Sequence, residues 1–150
     1  MALTAAQQTE VFKLGVGLFG AAASTTYLNV FGQYYDAGGT IQSAYKAVLV
    51  DPISATMYGP GLTNEQAATN FVNTLVGSAA TAATKTEGVA LVKGLLDGGM
   101  ARDVVFKTVI DALDQVAYTD AKWGAASQQL DNRVEVAKYY ATTLGGSATS

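Results

Sequence analysis

Threonine caps and glycine stops recur along this chain at the spacing of helix boundaries, and they constrain its fold more than any other feature. A Thr followed three residues later by Gln or Glu forms the capping box that opens a helix, and paired glycines end helices in the left-handed conformation. Caps of this kind are Thr4 with Gln7, Thr63 with Gln66 and Thr84 with Glu87, and Thr40 is a further predicted cap. Between caps and stops the apolar residues recur every three or four positions, which predicts an all-α fold.

These intervals predict about seven helices packed as one compact bundle. They cover approximately residues 4–20, 26–37, 40–50, 63–77, 84–98, 103–116 and 119–144. Residues 51–62 hold both prolines, so we expect the longest loop there. We expect residues 1–144 to form a single helical domain and residues 145–150, Gly-Gly-Ser-Ala-Thr-Ser, to begin a flexible linker.

An internal repeat joins residues 28–49 to residues 89–110. Asp36 aligns with Asp97, Gly38 with Gly99 and Tyr45 with Phe106, each pair separated by the same interval (97 − 36 = 61). Each copy has an apolar helix, a glycine turn that contains Asp, and a second apolar helix. This pattern predicts a duplicated helical hairpin. The alternative is that two unrelated hairpins resemble each other because Asp and Gly suit any helix end.

The composition removes the usual catalytic groups. The chain has no His and no Cys, and hence neither the common general base near neutral pH nor a thiolate nucleophile. Asp111 and Asp114 lie three residues apart on one helical face and could form an acid/base couple, but we favour a solvated face opposite an apolar stripe. We therefore expect no catalytic residue and no enzymatic activity.

The charges also limit the partners. Nine basic and twelve acidic residues give a net charge of −3 without any basic cluster, so nucleic acid is not an expected partner. No apolar stretch has the length of about 18–20 residues that crosses a bilayer. The apolar run at residues 14–23 is the one candidate for the hydrophobic part of a signal peptide. The residues before it are polar rather than basic and include Glu10, which favours an ordinary first helix.

Two sets of residues are candidates for binding. Asp36 and Asp97 lie beside flexible glycine carbonyls and are weak calcium candidates, because each turn offers only one carboxylate where calcium takes six to eight oxygens. The chain also has eight tyrosines, some of them adjacent, and adjacent helical positions cannot all face inward. Our candidates for contact with a sugar or a protein partner are Tyr34, Tyr35, Tyr58 and Tyr139. The alternative is that these rings are half-buried edges of the core.

Several segments resemble the N-terminal region of large proteobacterial surface proteins. They are residues 1–8, 62–77, 94–99 and 119–140, of which the block that begins Thr119-Asp-Ala-Lys-Trp-Gly124 is the most specific. The proteins in question are S-layer-like and RTX-type proteins that are exported by type I secretion. The resemblance spans nearly the whole chain.

The resemblance implies a location and a role that the residues alone do not. It implies an extracellular domain on the bacterial cell surface, with the export signal at the far C-terminus of a larger protein. Helical N-terminal domains of comparable S-layer proteins anchor the lattice to lipopolysaccharide, while calcium-binding repeats follow in the remainder. The expected function is therefore non-catalytic anchoring to lipopolysaccharide or another surface glycan. The alternative is a self-assembling S-layer or filament subunit that acts through protein–protein contacts.

Overall fold

The computed structural model of the chain describes residues 3–20 and 25–142. Within these residues it contains eight α-helices and no strand. The helices are α1 (Ala5–Phe19), α2 (Thr25–Asp36), α3 (Ile41–Val50), α4 (Ala55–Tyr58), α5 (Asn64–Val76), α6 (Ala82–Asp97), α7 (Arg102–Asp114) and α8 (Gly124–Thr142). The all-α prediction is confirmed. The predicted linker at 145–150 lies outside the described residues.

Two capping boxes set the starts of α1 and α5, as the sequence predicts. The Thr4 hydroxyl accepts from the Gln7 amide at 3.1 Å, and the Gln7 side chain accepts from the Thr4 amide at 2.9 Å. Thr63 and Gln66 repeat both hydrogen bonds at the same distances. Gly20 ends α1 with a φ of 66°, a conformation that favours glycine. These boundaries follow from local chemistry alone.

Two predicted helix starts are wrong, and one predicted loop contains helical turns. α6 begins three residues early, because the Thr81 hydroxyl accepts from the Thr84 amide and Thr84 itself is buried in the first turn. α8 begins only at Gly124, because the Asp120 carboxylate accepts from the amides of Lys122 and Trp123 and holds them in a turn.

The third error concerns the predicted loop at 51–62, which contains a short 3-10 turn at Pro52–Ser54 and the four-residue α4. The α4 segment is held by Tyr58, whose ring is buried and whose hydroxyl donates to the Leu18 carbonyl at 2.6 Å. Because Tyr58 and Leu18 are far apart in the sequence, this hydrogen bond could not be predicted from the residues around Tyr58, which indicate only turns.

The two predicted hairpins have the same turn. Gly38 and Gly99 have φ values of 95° and 100°. The amide of Gly39 donates to Tyr34 and that of Gly38 to Tyr35, and the residues 61 positions later, Met100 with Leu95 and Gly99 with Leu96, repeat both bonds. This hydrogen-bond pair is the Schellman motif. The hairpins therefore agree in geometry as well as in sequence at the turn.

The structure extends the repeat beyond the hairpins. Phe12 and Phe71 each follow their capping threonine by eight residues, and both are fully buried. We call α1–α4 the first half and α5–α8 the second half. Each half has a capped helix, a second helix, a glycine turn, a third helix and a closing helix. α4 closes the first half and packs on α5, whereas α8 closes the second half and packs on α1.

Equivalent helices of the two halves meet at the centre. α1 packs on α5, and α3 packs on α7. The Gln42 side chain donates to the Asp103 carboxylate at 3.2 Å, and these residues are themselves 61 positions apart. Contact between equivalent positions is what an internal two-fold axis produces. The correspondence is confined to these central helices, because α6 packs closely on α5 whereas α2 barely contacts α1.

One hydrophobic core spans both halves. Phe71 and Phe106 stack with ring centroids 4.3 Å apart, and Tyr58 packs against Phe106 from the first half. The largest fully buried side chains are Tyr45, Tyr58, Phe12, Phe71, Phe106, Leu18, Ile110 and Leu130. None of the helices at 3–20 and 25–142 is long and apolar enough to cross a membrane.

Candidate functional site

The densest polar cluster surrounds Lys13, a lysine buried in α1. Its residue is only 6% exposed, and its Nζ lies 2.8 Å from Asp111, 3.4 Å from Asp114 and 3.6 Å from Glu10. Asp111 also binds Lys107 at 2.6 Å, one turn earlier on α7. We call these five residues the Lys13 cluster. It joins the first and third helices of opposite halves.

The cluster fixes Lys13 and Asp111 in their charged forms. Burial alone would lower the pKa of Lys13, but the hydrogen bond to Asp111 and the charges of Glu10 and Asp114 outweigh it and raise that pKa. Burial would likewise raise the pKa of Asp111, yet its hydrogen bonds to Lys107 and Lys13 hold that pKa below its usual value. Each ion therefore keeps its partner charged across the neutral range.

Asp114 has a second carboxylate beside it. A hydrogen bond with Asp131 of α8 and partial burial raise the pKa of Asp114, although Lys13 opposes this shift. The Tyr118 hydroxyl donates to the Asp131 carboxylate from the connection between α7 and α8. The polar contacts thus continue from the Lys13 cluster to α8.

These partners revise the interpretation of Asp111 and Asp114 as a solvated face. Both carboxylates are partly buried and both contact Lys13, which lies 98 positions before Asp111 in the sequence. General acid–base catalysis works best with a pKa near the operating pH and within reach of substrate. The pKa of Lys13 is raised and that of Asp111 is lowered, so these two groups form an ion pair between α1 and α7, whereas the pKa of Asp114 is raised beside Asp131.

A second polar arrangement holds the connection between α4 and α5. The Arg102 guanidinium donates to the carbonyls of Tyr58 at 3.0 Å, Gly59 at 2.6 Å and Leu62 at 2.6 Å. It also donates to the Asn64 side chain at 3.2 Å. Arg102 opens α7, so one second-half side chain ties down the segment that joins the halves. We call this arrangement the Arg102 clamp.

The predicted contact tyrosines have different surroundings. Tyr58 is 2% exposed, and burial raises its pKa to about 12. Tyr58 therefore belongs to the core, and its prediction as a surface contact is wrong. Tyr34 and Tyr35 are half-buried, with ring centroids 6.4 Å apart, and the Tyr34 hydroxyl bonds to Ser43. Tyr139 is 58% exposed and offers its ring to solvent.

The calcium candidates lie at the ends of two different helices. Asp97 already uses both carboxylate oxygens, because one pairs with Lys93 at 2.6 Å and the other accepts from Asn64 at 2.9 Å. Asp36 is exposed at the matching end of α2. In the described part of the chain, no group of three or more acidic side chains could hold a metal ion. Calcium binding at either aspartate would need oxygens beyond those carboxylates.

No family model, curated protein or solved structure compared with this chain matches it.

The outer face of α8 is an exposed surface with mixed polar and apolar character. Its exposed residues follow helical spacing on the side opposite the buried Ala126, Leu130, Val134 and Ala137. Besides Ala125 they are Gln128, Asn132, Glu135, Val136 and Tyr139. Tyr118 stands beside this helix, half exposed and bonded to Asp131. Amides, an acid and amphipathic rings are groups that bind sugar hydroxyls and faces.

Sequence reasoning missed Lys13 and Arg102. Lys13 had a usable signal, because it interrupts an apolar run between Val11, Phe12 and Leu14. A cation at such a position needs a buried partner or a route to solvent. Arg102 had no comparable signal, since most of its acceptors are backbone carbonyls 40–44 positions earlier.

Proposed function

We propose that this chain is a non-catalytic cell-surface domain that anchors a larger secreted or S-layer protein to lipopolysaccharide. The observation that carries the proposal is the outer face of α8, with Tyr139 at 58% exposure among amide side chains. The resemblance to S-layer-like and RTX-type surface proteins supports an extracellular setting. The ion pairing of the Lys13 cluster supports a structural rather than a catalytic use of its charges.

The placement of the cations favours sugar contacts over phosphate contacts. Lys13, Lys93, Lys107, Lys122 and Lys138 pair with carboxylates, and Arg102 binds carbonyls. Among the described residues, only Lys46, Lys85 and Arg133 have no such partner. Neutralising phosphate groups takes clustered Lys and Arg. The proposed anchor therefore acts through hydroxyl hydrogen bonds and ring stacking.

Co-sedimentation with lipopolysaccharide vesicles tests this proposal. Wild type is expected to pellet with vesicles that carry the full polysaccharide, and Tyr139→Ala is expected to pellet several-fold less. Val50→Ala is the matched control, because Val50 is 76% exposed but lies on α3. Adding calcium or a chelator shows whether a cation bridges the contact. Sugar contacts predict binding that survives about 0.5 M salt, where charges are screened within a few ångströms.

Two results would count against anchoring. Absence of pelleting under every condition would exclude lipopolysaccharide as the ligand. Pelleting that disappears in salt, or that Tyr139→Ala leaves unchanged, would exclude the outer face of α8 as the sugar site.

Self-association is the second candidate function, and one repeated feature favours it. Val30 and Leu91 occupy equivalent positions of the two hairpins, and they are 54% and 61% exposed. Each hairpin thus presents an apolar side chain outward at the same place. Sedimentation velocity of the Val30→Ser/Leu91→Ser double variant tests whether these residues join copies of the chain. Association that is unaffected by the double variant would exclude them.

A further inference from the structure

The interface between the two halves has the form of an interface between two subunits. α1 packs on α5 and α3 on α7, and Gln42 contacts its own equivalent, Asp103. Such contacts do not require that both halves belong to one chain. A second copy could supply either half with the same side chains in the same places.

One short segment decides which half pairs with which. Residues 59–62, Gly-Pro-Gly-Leu, join α4 to α5, and we call them the hinge. The Leu62 amide donates to the Gly59 carbonyl at 3.0 Å, which closes the hinge into a turn. The Arg102 clamp holds the same turn through its carbonyls. Short hinges held in a tight turn are where exchange between protomers begins.

The turn depends on a glycine at one position only. A Cβ on Gly59 would lie 2.5 Å from the Ala55 carbonyl oxygen and 2.9 Å from the Ala55 Cα, both backbone atoms that cannot move aside cheaply. A Cβ on Gly61 would meet nothing within 4 Å. A side chain at Gly59 therefore opposes the closed hinge, and one at Gly61 does not.

We propose that two copies of this chain exchange halves by opening the hinge, so that α1–α4 of one copy packs on α5–α8 of the other. The partner is a second copy of this chain, and the contact surface is the α1/α5 and α3/α7 interface. This inference is independent of lipopolysaccharide binding, and it gives self-association a contact surface other than Val30 and Leu91. Exchange keeps the core contacts between the halves, and it changes the path of residues 59–62 together with the Arg102 bonds to the Gly59 and Leu62 carbonyls.

The first experiment compares hinge variants. Wild type, Gly59→Ala and Gly61→Ala are partly unfolded and refolded at high protein concentration, and their masses are measured by light scattering after gel filtration. Gly59→Ala is expected to give a species of twice the monomer mass at a several-fold higher fraction than wild type. Gly61→Ala is expected to match wild type. A folded Gly59→Ala that stays as monomeric as Gly61→Ala overturns the proposal.

The second experiment reports exchange directly, with an unaltered hinge. The chain has no Cys, so Gln42→Cys and Asp103→Cys each carry one thiol, at positions that are partly buried between the halves. The two variants are refolded together and treated with a short bifunctional thiol reagent. Exchange predicts a cross-linked dimer that joins position 42 of one chain to position 103 of another, and none when the folded proteins are simply mixed.

This cross-link also separates the proposal from surface association. Dimers that lack the 42–103 link would overturn exchange while leaving the exposed Val30 and Leu91 as the contact. Dimers that carry the link and persist in Val30→Ser/Leu91→Ser would exclude those two residues and support exchange. If Gly59→Ala does not fold, the mixed single-cysteine proteins still decide the question.

Discussion

The first and second halves of the molecule differ in how their second helices are packed. α6 lies along α5, and Val92 and Leu96 are buried there. The residues 61 positions earlier on α2, Phe31 and Tyr35, are only partly covered. Because the turns that end the two helices are the same, local structure does not explain the contrast.

The lengths of the closing helices explain it. α8 has 19 residues and packs more extensively on α1 than any other helix does. α4 has four residues and leaves most of α5 to α6. A long closing helix thus takes the surface of α1 that α2 would otherwise cover. The same repeated sequence pattern therefore leaves α2 more exposed than α6, because the closing helices α4 and α8 pack differently around them.

The largest expected effect compares the equivalent phenylalanines. Phe12→Ala and Phe71→Ala each remove a fully buried ring and are each expected to cost about 3–5 kcal/mol of unfolding free energy. Phe71→Ala is expected to cost more, because Phe71 also stacks on Phe106. Urea unfolding of both variants measures the difference. A larger cost for Phe12→Ala would show that the first half is the better packed one.

The next effect concerns Lys13, whose equivalent in the second half is Val72, nine residues after the capping threonine in each case. Lys13→Val leaves Asp111 and Asp114 without their buried cation, and we expect a loss of about 2 kcal/mol at pH 7. Losing one partner of a fully buried pair costs about 3–5 kcal/mol. The smaller figure follows because both aspartates are partly exposed and Asp111 keeps Lys107.

This loss is expected to shrink in acid. The pKa of Asp111 is lowered in the folded state, so its contribution is present above its unfolded value of 3.8 and disappears as pH falls through the folded one. Unfolding free energies at pH 7 and about pH 3 test this for wild type and Lys13→Val. Lys93→Val is the control, since the Lys93–Asp97 pair is exposed. An equal cost at both pH values would exclude the ion pair as the cause.

Much of the fold could be predicted because its determinants are local. The capping boxes at Thr4 and Thr63 and the glycine turns at Gly38 and Gly99 involve residues within five positions of each other. Thr84 shows the limit of this reasoning, because Thr81 competes for the same cap and only packing selects between them.

The polar sites could not be predicted in the same way. Lys13 meets Asp111 across 98 positions, and Arg102 reaches the Gly59 carbonyl across 43. Such contacts depend on which helices become neighbours, which the apolar stripes leave undetermined. Tyr58 was misassigned for the same reason, since its acceptor is the carbonyl of Leu18 in a different helix.

A smaller effect tests whether the two turns are energetically equal. Gly38→Ala and Gly99→Ala place a Cβ in open space but at φ values of 95° and 100°, so each is expected to lose about 1 kcal/mol through backbone strain alone. Gly94→Ala is the control, because it lies within α6 with nothing within 4 Å and is expected to gain up to about 1 kcal/mol. Thermal unfolding measures all three. Clearly unequal losses at Gly38 and Gly99 would show that the hairpins differ energetically despite their shared turn.

The smallest effect concerns Tyr45, whose equivalent is Phe106. Both rings are fully buried, but the Tyr45 hydroxyl has no hydrogen-bond partner among the residues that the structure describes. An unsatisfied buried polar group costs free energy, so Tyr45→Phe is expected to gain up to about 1 kcal/mol. Tyr58→Phe is the control, because it loses a bond to Leu18 and is expected to lose about 1 kcal/mol.

The pH dependence sharpens this last test. Burial raises the pKa of Tyr45 above its ordinary value of 10, so the unfolded chain releases that proton first and stability falls as pH rises above 10. Tyr45→Phe removes this contribution, and its gain over wild type is expected to grow between pH 9 and about pH 11. Tyr58, whose pKa is raised to about 12, keeps part of the alkaline loss in both proteins. A Tyr45→Phe protein that is less stable than wild type at pH 7 would instead indicate a partner for the hydroxyl, such as an ordered water that links it to the Lys13 cluster.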